Sequence, residues 1–417
     1  MLLSRRFLPK FVLDKSELNE LMSSSWIISQ IAEFCSRYKN RLAGSASCRA
    51  AGDEMARMAA EWSDIVTKED FELHPTAFMG SILVQVIVSL TAIVLWWACR
   101  STACRWIILG LLLIWFVSWW GEYWTYHRIF DKLHRKAVGQ NVFAVRKAAG
   151  ETRRRVIIVG HADAAYEMTF LLHLKTWIVG MHIVVADGGL LVFLVSSILG
   201  LLGITSPGYE QALSFILIPV ACTLIGWAFF VNWKVISPGA NDNLTGCFVA
   251  LALLKEMAEK GERLQHTDVC VLITDGEECG LRGAMAFEEG HRQELQETDT
   301  IALAVDTFHD KDQLMVYGRG INFLQKNSPE VCELLREAGR RCSITLPNDG
   351  CYPGATDAEA FSRNGIKAAA LCGSPHGTGP YYHTRFDTPD SLSPECIETG
   401  MNILREFLLV ADERIRK

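Results

Sequence analysis

Two stretches inside this chain, Phe78 to Cys99 and Ala212 to Trp233, each run for 22 residues without a charged side chain. About 20 apolar residues in a helix match the hydrocarbon thickness of a bilayer, so both segments are expected to span one. Two more apolar segments accompany them. Trp106 to Gly121 is shorter but ends among Trp119, Trp120 and Trp124, residues suited to a membrane interface. Trp177 to Ile204 carries His182 and Asp187 in its first half. The links "RSTACR" and "GITSPGYEQ" are short, so the four segments read as two helical hairpins. His182 and Asp187 are expected near the interface, about a turn inside the span. Intramembrane ionisable groups are functional suspects, and the pair keeps a transporter among the alternatives.

Four spans put everything else on one side of the membrane. Arg128, Lys132, Arg135, Lys136, Lys175 and Lys234 flank the spans there, against only Arg100 and Arg105 in the opposite loops. Positive charge favours the cytoplasmic side. The 13 cysteines show neither metal-ribbon spacing nor a paired framework, which fits a reducing compartment. The first 20 residues carry charges throughout and do not read as a signal peptide. The expected protein is multi-pass, with its remaining mass in the cytoplasm. A net charge of -6 without a basic run gives no nucleic-acid footprint.

Outside the hairpins the pattern is α/β. Short apolar strands are expected at 153–160, 268–274, 300–306, 313–318 and 366–373. They alternate with helices at 244–259, 282–295, 328–340 and 357–363. Further helices are expected at 18–37, 48–62 and 394–415. Such alternation implies a mostly parallel sheet covered on both faces. The domain plan is a catalytic unit in three pieces, 1–77, 122–176 and 234–417. Hairpins at 78–121 and 177–233 interrupt it.

Metal-capable side chains recur at the strand ends. "GHAD" supplies His161 and Asp163, "PGANDNLTG" Asp242, "TDGEECG" Glu277 and Glu278, "AVD" Asp306, and "YYHTRFDT" His383 and Asp387. In a doubly wound sheet the carboxyl ends of the strands share one edge, where ligands bind. Two histidines and three carboxylates there form a nitrogen-and-oxygen set suited to zinc. Five ligands exceed what one open catalytic zinc takes, and suit two metals sharing a carboxylate.

The order of these motifs resembles the di-zinc metallopeptidases of clan MH, which include bacterial leucyl-type aminopeptidases, glutamate carboxypeptidase and related glutaminyl cyclases. "RYKNRLAGS", "GQNVFAVRKAAG" and "GATDAEAFSRNGIKAAAL" extend the likeness over everything except the apolar segments. The resemblance implies a three-layer aminopeptidase-like α/β fold with a mostly parallel mixed sheet, here carrying four inserted transmembrane helices. It implies two zinc ions per chain, with His161 and Asp306 on one, Glu278 and His383 on the other, and Asp242 bridging. Glu277 would be the general base acting on a zinc-bound water. Asp163 would hydrogen-bond the second nitrogen of His161, and Asp387 would orient the His383 loop. Asn243 and Gly246 would shape the turn after Asp242, and the Asp242–Asn243 peptide would be cis. Ala162 replaces a bulkier family residue without consequence for the metals. The larger departure is the second hairpin, inserted between His161 and Asp242.

The implied activity is that of a membrane-integral zinc exopeptidase of the aminopeptidase type, acting on peptides that include membrane-associated ones. A glutaminyl cyclase-type acyltransferase and an inactive receptor or scaffold of the same fold are the alternatives. The insertion point adds an expectation of its own: a metal centre close to the bilayer surface.

Overall fold

The computed structural model describes residues 15–351, 354–374 and 381–415. The N-terminal stretch read above as lacking a signal peptide lies largely outside them. Eleven strands are present: β1 (Ile65–Leu73), β2 (Ala137–Arg146), β3 (Arg154–His161), β4 (Tyr166–Met168), β5 (Val231–Ile236), β6 (Thr267–Thr274), β7 (Asp299–Phe308), β8 (Met315–Gly320), β9 (Gln325–Lys326), β10 (Asn348–Gly350) and β11 (Lys367–Gly373). Nine build one sheet in the order β1-β2-β6-β3-β7-β11-β8-β10, with β9 paired to β8. The centre, β6-β3-β7-β11, is parallel, while β1, β2 and β8 run antiparallel to their inner neighbours. The sheet is mixed, with its parallel part where the expected strand ends converge.

Thirteen helices are described: α1 (Lys15–Arg37), α2 (Ala46–Trp62), α3 (Ala77–Ala98), α4 (Thr102–Ser118), α5 (Thr169–His173), α6 (Thr176–Ile183), α7 (Gly189–Leu201), α8 (Pro207–Trp227), α9 (Thr245–Glu259), α10 (Arg282–Glu297), α11 (Pro329–Arg341), α12 (Ala358–Ser362) and α13 (Pro394–Glu413). The central strands are buried on both sides, and their residues alternate between two cores as the period of two demands. Val156, Ile158, Val269, Val271 and Leu303 pack under α1, α2, α9, α11 and α13. Ile157, Val159, Cys270, Leu272 and Ala302 pack against α10 and α12. This is a helix–sheet–helix sandwich.

Four helices are long and apolar enough to cross a membrane: Ala77–Ala98, Thr102–Trp124, Trp177–Leu201 and Pro207–Trp227. They pack together around Ile93, Trp96, Ile108, Leu112, Phe193 and Leu217. Their outer faces expose Ile87, Ile114, Val195 and Phe215, as a lipid-facing surface requires.

Helix ends differ from the sequence expectation in two places. The second span continues past Gly121 as a π-helical turn, Trp119–Trp124. Glu122 lies in that turn and ended the uncharged run, yet it is buried. Its carboxylate accepts the Phe130 N–H at 2.8 Å and lies 3.7 Å from Arg282. The last span starts at Pro207 instead of Ala212, capped by Ser206, whose hydroxyl accepts the Tyr209 N–H. It stops at Trp227, and Val231–Ile236 leaves as β5 to pair with β4.

One further expectation is corrected. Cys99 and Cys104 form a disulfide across the loop of the first hairpin, and the other 11 cysteines form none. Asp187 lies ten residues beyond Trp177 in a π turn, Val184–Gly188, or about 15 Å along the helix, and accepts the Trp119 indole N–H at 2.9 Å. His182 instead turns its Nδ1 to the Ile178 carbonyl oxygen at 2.9 Å.

Candidate metal centre

His161 ends β3, Asp306 lies near the end of β7, and Glu277 and Glu278 follow β6. Asp242 stands just before α9, and His383 lies in the loop after β11. All six reach the same edge of the sheet. Asp242 is at the centre: its Oδ1 is 3.2 Å from His161 Nε2 and its Oδ2 is 3.0 Å from His383 Nε2. Glu278 Oε2 is 3.2 Å from the same His383 nitrogen. Three sets of donor atoms, His161–Asp242–Asp306, Asp242–Glu278–His383 and His161–Glu277–Glu278, each fall within 4.8 Å. Asp242 belongs to the first two. Glu277 Oε2 stands 3.8 Å from His161 Nε2.

Zinc fits these sets. Ligands at about 2.0–2.2 Å in a tetrahedron lie roughly 3.3 Å apart, close to the separations found here. His161 Nε2 and Glu278 Oε1 are buried without a hydrogen bond, a cost the fold does not offset through its own groups. The electrostatics point the same way. Burial, with Asp242 adding to it, pushes Asp306 up to about 6. Burial also pushes Glu278 up to about 6, against the pull of His383. Burial, with the neighbouring Glu278 charge adding to it, also raises Glu277 well above the usual carboxylate range, against the pull of His161. Asp242 goes the other way: against burial, its two histidine partners hold it well below the usual carboxylate range. His383 is pushed up to about 10, where Glu278 and Asp242 override burial. So many carboxylates in so small a volume call for a cation.

The loops that carry these groups are pinned to one another. Asp163 accepts the backbone N–H of Glu277 at one oxygen and of Glu278 at the other, both at 3.2 Å. It thereby holds the two-glutamate turn. Its expected hydrogen bond to His161 is absent: the carboxylate lies 3.6 Å from Nδ1, which turns to the Asp163 carbonyl oxygen at 3.2 Å. Asp387 bridges from the His383 loop to the Asp242 loop, accepting the N–H of Asn241 at 2.8 Å and of Asp242 at 3.0 Å. The Asp242–Asn243 peptide is cis. Asn243 donates to the Val305 carbonyl at 2.8 Å and accepts the Gly246 N–H at 2.9 Å, tying α9 to β7. A Cβ on Gly246 would stand 2.3 Å from that same Val305 oxygen, so only glycine fits.

Two positioning groups escaped the sequence reading. Arg41, fully buried within "RYKNRLAGS", donates to the carbonyls of Ala162, Pro238 and Gly239 at 2.9–3.0 Å. It clamps the loops that follow His161 and precede Asp242. Glu167 in β4 takes both nitrogens of the Arg385 fork at 2.6 Å and accepts from Asn232 in β5. Met168 donates its N–H to the His383 carbonyl. The second hairpin is thus fastened to the loop of a proposed metal ligand. A buried glutamate two residues from an apolar stretch was the only available signal.

Residues 227–408 match Peptidase family M28, a segment that holds Asp242, Glu277, Glu278, Asp306 and His383 but not His161. Among solved structures, a zinc aminopeptidase from Bacillus subtilis is 12% identical with a TM-score of 0.56, over 93% of this chain and 95% of the other. An aminopeptidase from Aneurinibacillus sp. strain AM-1 is 14% identical with a TM-score of 0.53, over 93% of each chain. A glutaminyl cyclase from an Acidobacteriales bacterium is 11% identical with a TM-score of 0.54, over 99% and 100%. No curated protein gives a significant match. The family match over residues 227–408 and the likeness of the fold to solved aminopeptidases fall on the unit that carries the strand-end cluster, and four long apolar helices are set into that unit.

Proposed function

We propose that this protein is a membrane-integral zinc exopeptidase of the aminopeptidase type, holding two zinc ions per chain. The observation that carries the reading is Asp242, whose two carboxylate oxygens face two different histidines at 3.2 and 3.0 Å. A single mononuclear site needs no such divided carboxylate. In this reading His161 and Asp306 hold one ion, Glu278 and His383 the other, and Asp242 is shared. Zinc bound there would polarise a scissile carbonyl and lower the pKa of water. Glu277 is left free of ligand duty, with its carboxylate lining the cavity beside the ligands. It serves as general base, taking a proton from the attacking water and passing it to the leaving amine. Asp163 acts as a positioning residue, fixing both glutamates through their backbone.

The apolar helices would lie in the membrane, with the α/β unit on the cytoplasmic side. Two observations support that orientation. The opposite loops carry only Arg100 and Arg105, both paired to Glu210 at 3.3 and 2.8 Å. The one disulfide also lies there, and the α/β unit holds none. Protease treatment of sealed cells should leave residues 240–417 intact; their digestion from outside would reverse the orientation.

The activity is tested by assaying purified protein on peptides with free, N-blocked and C-blocked ends, with and without chelator, alongside zinc analysis. Hydrolysis that requires a free amino terminus, is lost on chelation and accompanies about two zinc ions per chain is expected. Pyroglutamate formation at one zinc per chain would instead assign the glutaminyl cyclase reaction.

A further inference from the structure

The metal centre opens onto a cavity of about 360 Å³ whose far end lies inside the helical bundle. At one end it is lined by Asp242, Glu277, Glu278, Asp306 and His383, and at the other by Gln85, Val86, Trp115, Ala186, Asp187 and Leu224. Val86 stands nine residues beyond Ala77, the start of its helix, and Trp115 nine before Trp124. At 1.5 Å per residue both depths are about 13 Å, close to half the hydrocarbon thickness. Below that level the bundle is filled by Ile93, Trp96, Leu112, Phe193 and Leu217. The half of the bundle next to the metal centre is therefore hollow, and the far half is solid.

Protein interiors pack to the density of organic crystals, and a void of this size is within the range of pockets that enclose a small ligand. The shaft between its ends is walled by Ile82, Trp119, Val179, Ile183, Trp227 and Phe230. An apolar wall of this kind gives little to water and much to a hydrocarbon chain. The polar atoms sit at the base. Asp187 is held by Trp119, and Gln85 Nε2 is buried without a partner. A methyl end driven against them would desolvate both groups without compensation, so the base sets a limit on chain length.

We infer that the cavity is an alkyl-chain pocket, and that the substrates are peptides or aminoacyl amides bearing one long hydrocarbon chain. The chain lies in the hollow half of the bundle and the scissile amide lies at the metal centre. This deepens the hydrolase reading and rests on it for the reaction. Water adds to the carbonyl carbon, the C–N bond breaks and the amine leaves with a proton. The chain-binding part stands apart from that chemistry.

The test uses the full-length zinc-loaded protein in bilayer nanodiscs and two series of amides with a free amino group. One lengthens a straight alkyl chain on the aminoacyl side, the other on the departing amine, from methyl to octadecyl. In one series kcat/KM should climb to a maximum at least about tenfold above the methyl member and then fall. Val86→Phe should move that maximum to shorter chains, and Val86→Ala to longer ones. A flat length profile in both series overturns the inference, as does a maximum that neither variant moves. Unacylated apolar peptides cleaved as efficiently as the best alkyl substrate would also overturn it, naming a peptide as the occupant. A photoreactive group at the chain end gives a readout independent of turnover. Labelling should fall on Val86, Trp115 or Ala186; labelling confined to outward-facing Ile87 and Val94 counts against the pocket. Labelled pocket residues in a protein that cleaves nothing would sink the hydrolase reading and leave the pocket standing.

Discussion

At the carboxyl edge of the sheet, Asp163, Asn243 and Asp387 each make at least two hydrogen bonds to the loops that carry the proposed ligands. In the hollow half of the bundle, Gln85 Nε2 has no partner, and Val86 and Ile183 face a void. The two regions line the same cavity. One holds single atoms in place, because chemistry depends on position to within tenths of an ångström. The other leaves space, because a flexible chain is recognised by volume. Mutations should therefore act differently on the two walls: through particular atoms on the polar wall, and through size alone on the apolar one.

The largest effect is expected from Glu277→Gln. It removes the base and keeps the shape, so turnover should fall by about 10²–10⁴-fold with zinc retained. Glu278→Gln should instead lower zinc occupancy. Elemental analysis of both variants separates the roles, and equal zinc loss would erase the distinction between the neighbouring glutamates.

Next in size is the set of fastenings that hold the ligands. Asp387→Asn weakens the acceptor for the Asp242 loop, and Glu167→Gln removes the charge opposite Arg385. Each should reduce zinc affinity by about 10–100-fold, read by competition with a chromogenic chelator. An unchanged affinity would mean that these loops hold their shape without the fastening. Acid should act in the same direction. Zinc ligands must be deprotonated, and in the metal-free chain His383 is pushed up to about 10 while burial raises Glu278 and Asp306 to about 6. Zinc affinity should therefore already fall as the pH drops below about 10 and fall more steeply through about 6, measured by chelator competition across a pH series.

The polar wall was largely legible in the sequence and the apolar wall was not. His161, Glu278 and Asp306 each sit at or just after the end of a strand with a clear apolar pattern, so strand ends alone bring these three proposed ligands to one edge, whereas Asp242 before α9 and His383 in the loop after β11 do not follow from the strands. The fastenings were harder. Asp163 reads as the partner of its near neighbour His161, whereas the fold turns its carboxylate to a loop more than a hundred residues away. Glu167 and Arg385 meet only because β4 pairs with β5 beside the His383 loop. The four long apolar helices were legible as apolar helices. Their ends moved where a π turn buried Glu122 and where Ser206 and Pro207 started a helix early. The position of Asp187 and the cavity were hidden for a different reason. Hydropathy gives the same value to a residue that faces a packed neighbour and to one that faces a void. Only the crossing of four helices separates the two cases.

That separation gives the smallest expected effect and the most direct test of the difference between a packed contact and the cavity wall. Val220 and Val86 are the same residue, in helices of the same bundle, buried to 1% and 5% exposure. Val220 belongs to the packed core and lies against Gly189. Cutting it to alanine removes two buried methyl groups and leaves a cavity where neighbours were in contact, at a cost of about 2 kcal/mol. Val86 already faces empty space on its inner side. Its truncation enlarges a void without breaking a packed contact on that side, because atoms across a gap contribute little dispersion energy. The cost should be under about 1 kcal/mol. Unfolding of both variants by denaturant in the same micelle, compared at constant lipid content, measures the two values side by side. Equal losses would show that the wall at Val86 is as well packed as the helix contact at Val220, and the space assigned to an alkyl chain would vanish. A smaller loss for Val86→Ala, recovered by adding a long-chain amide, would place the missing contacts in the ligand.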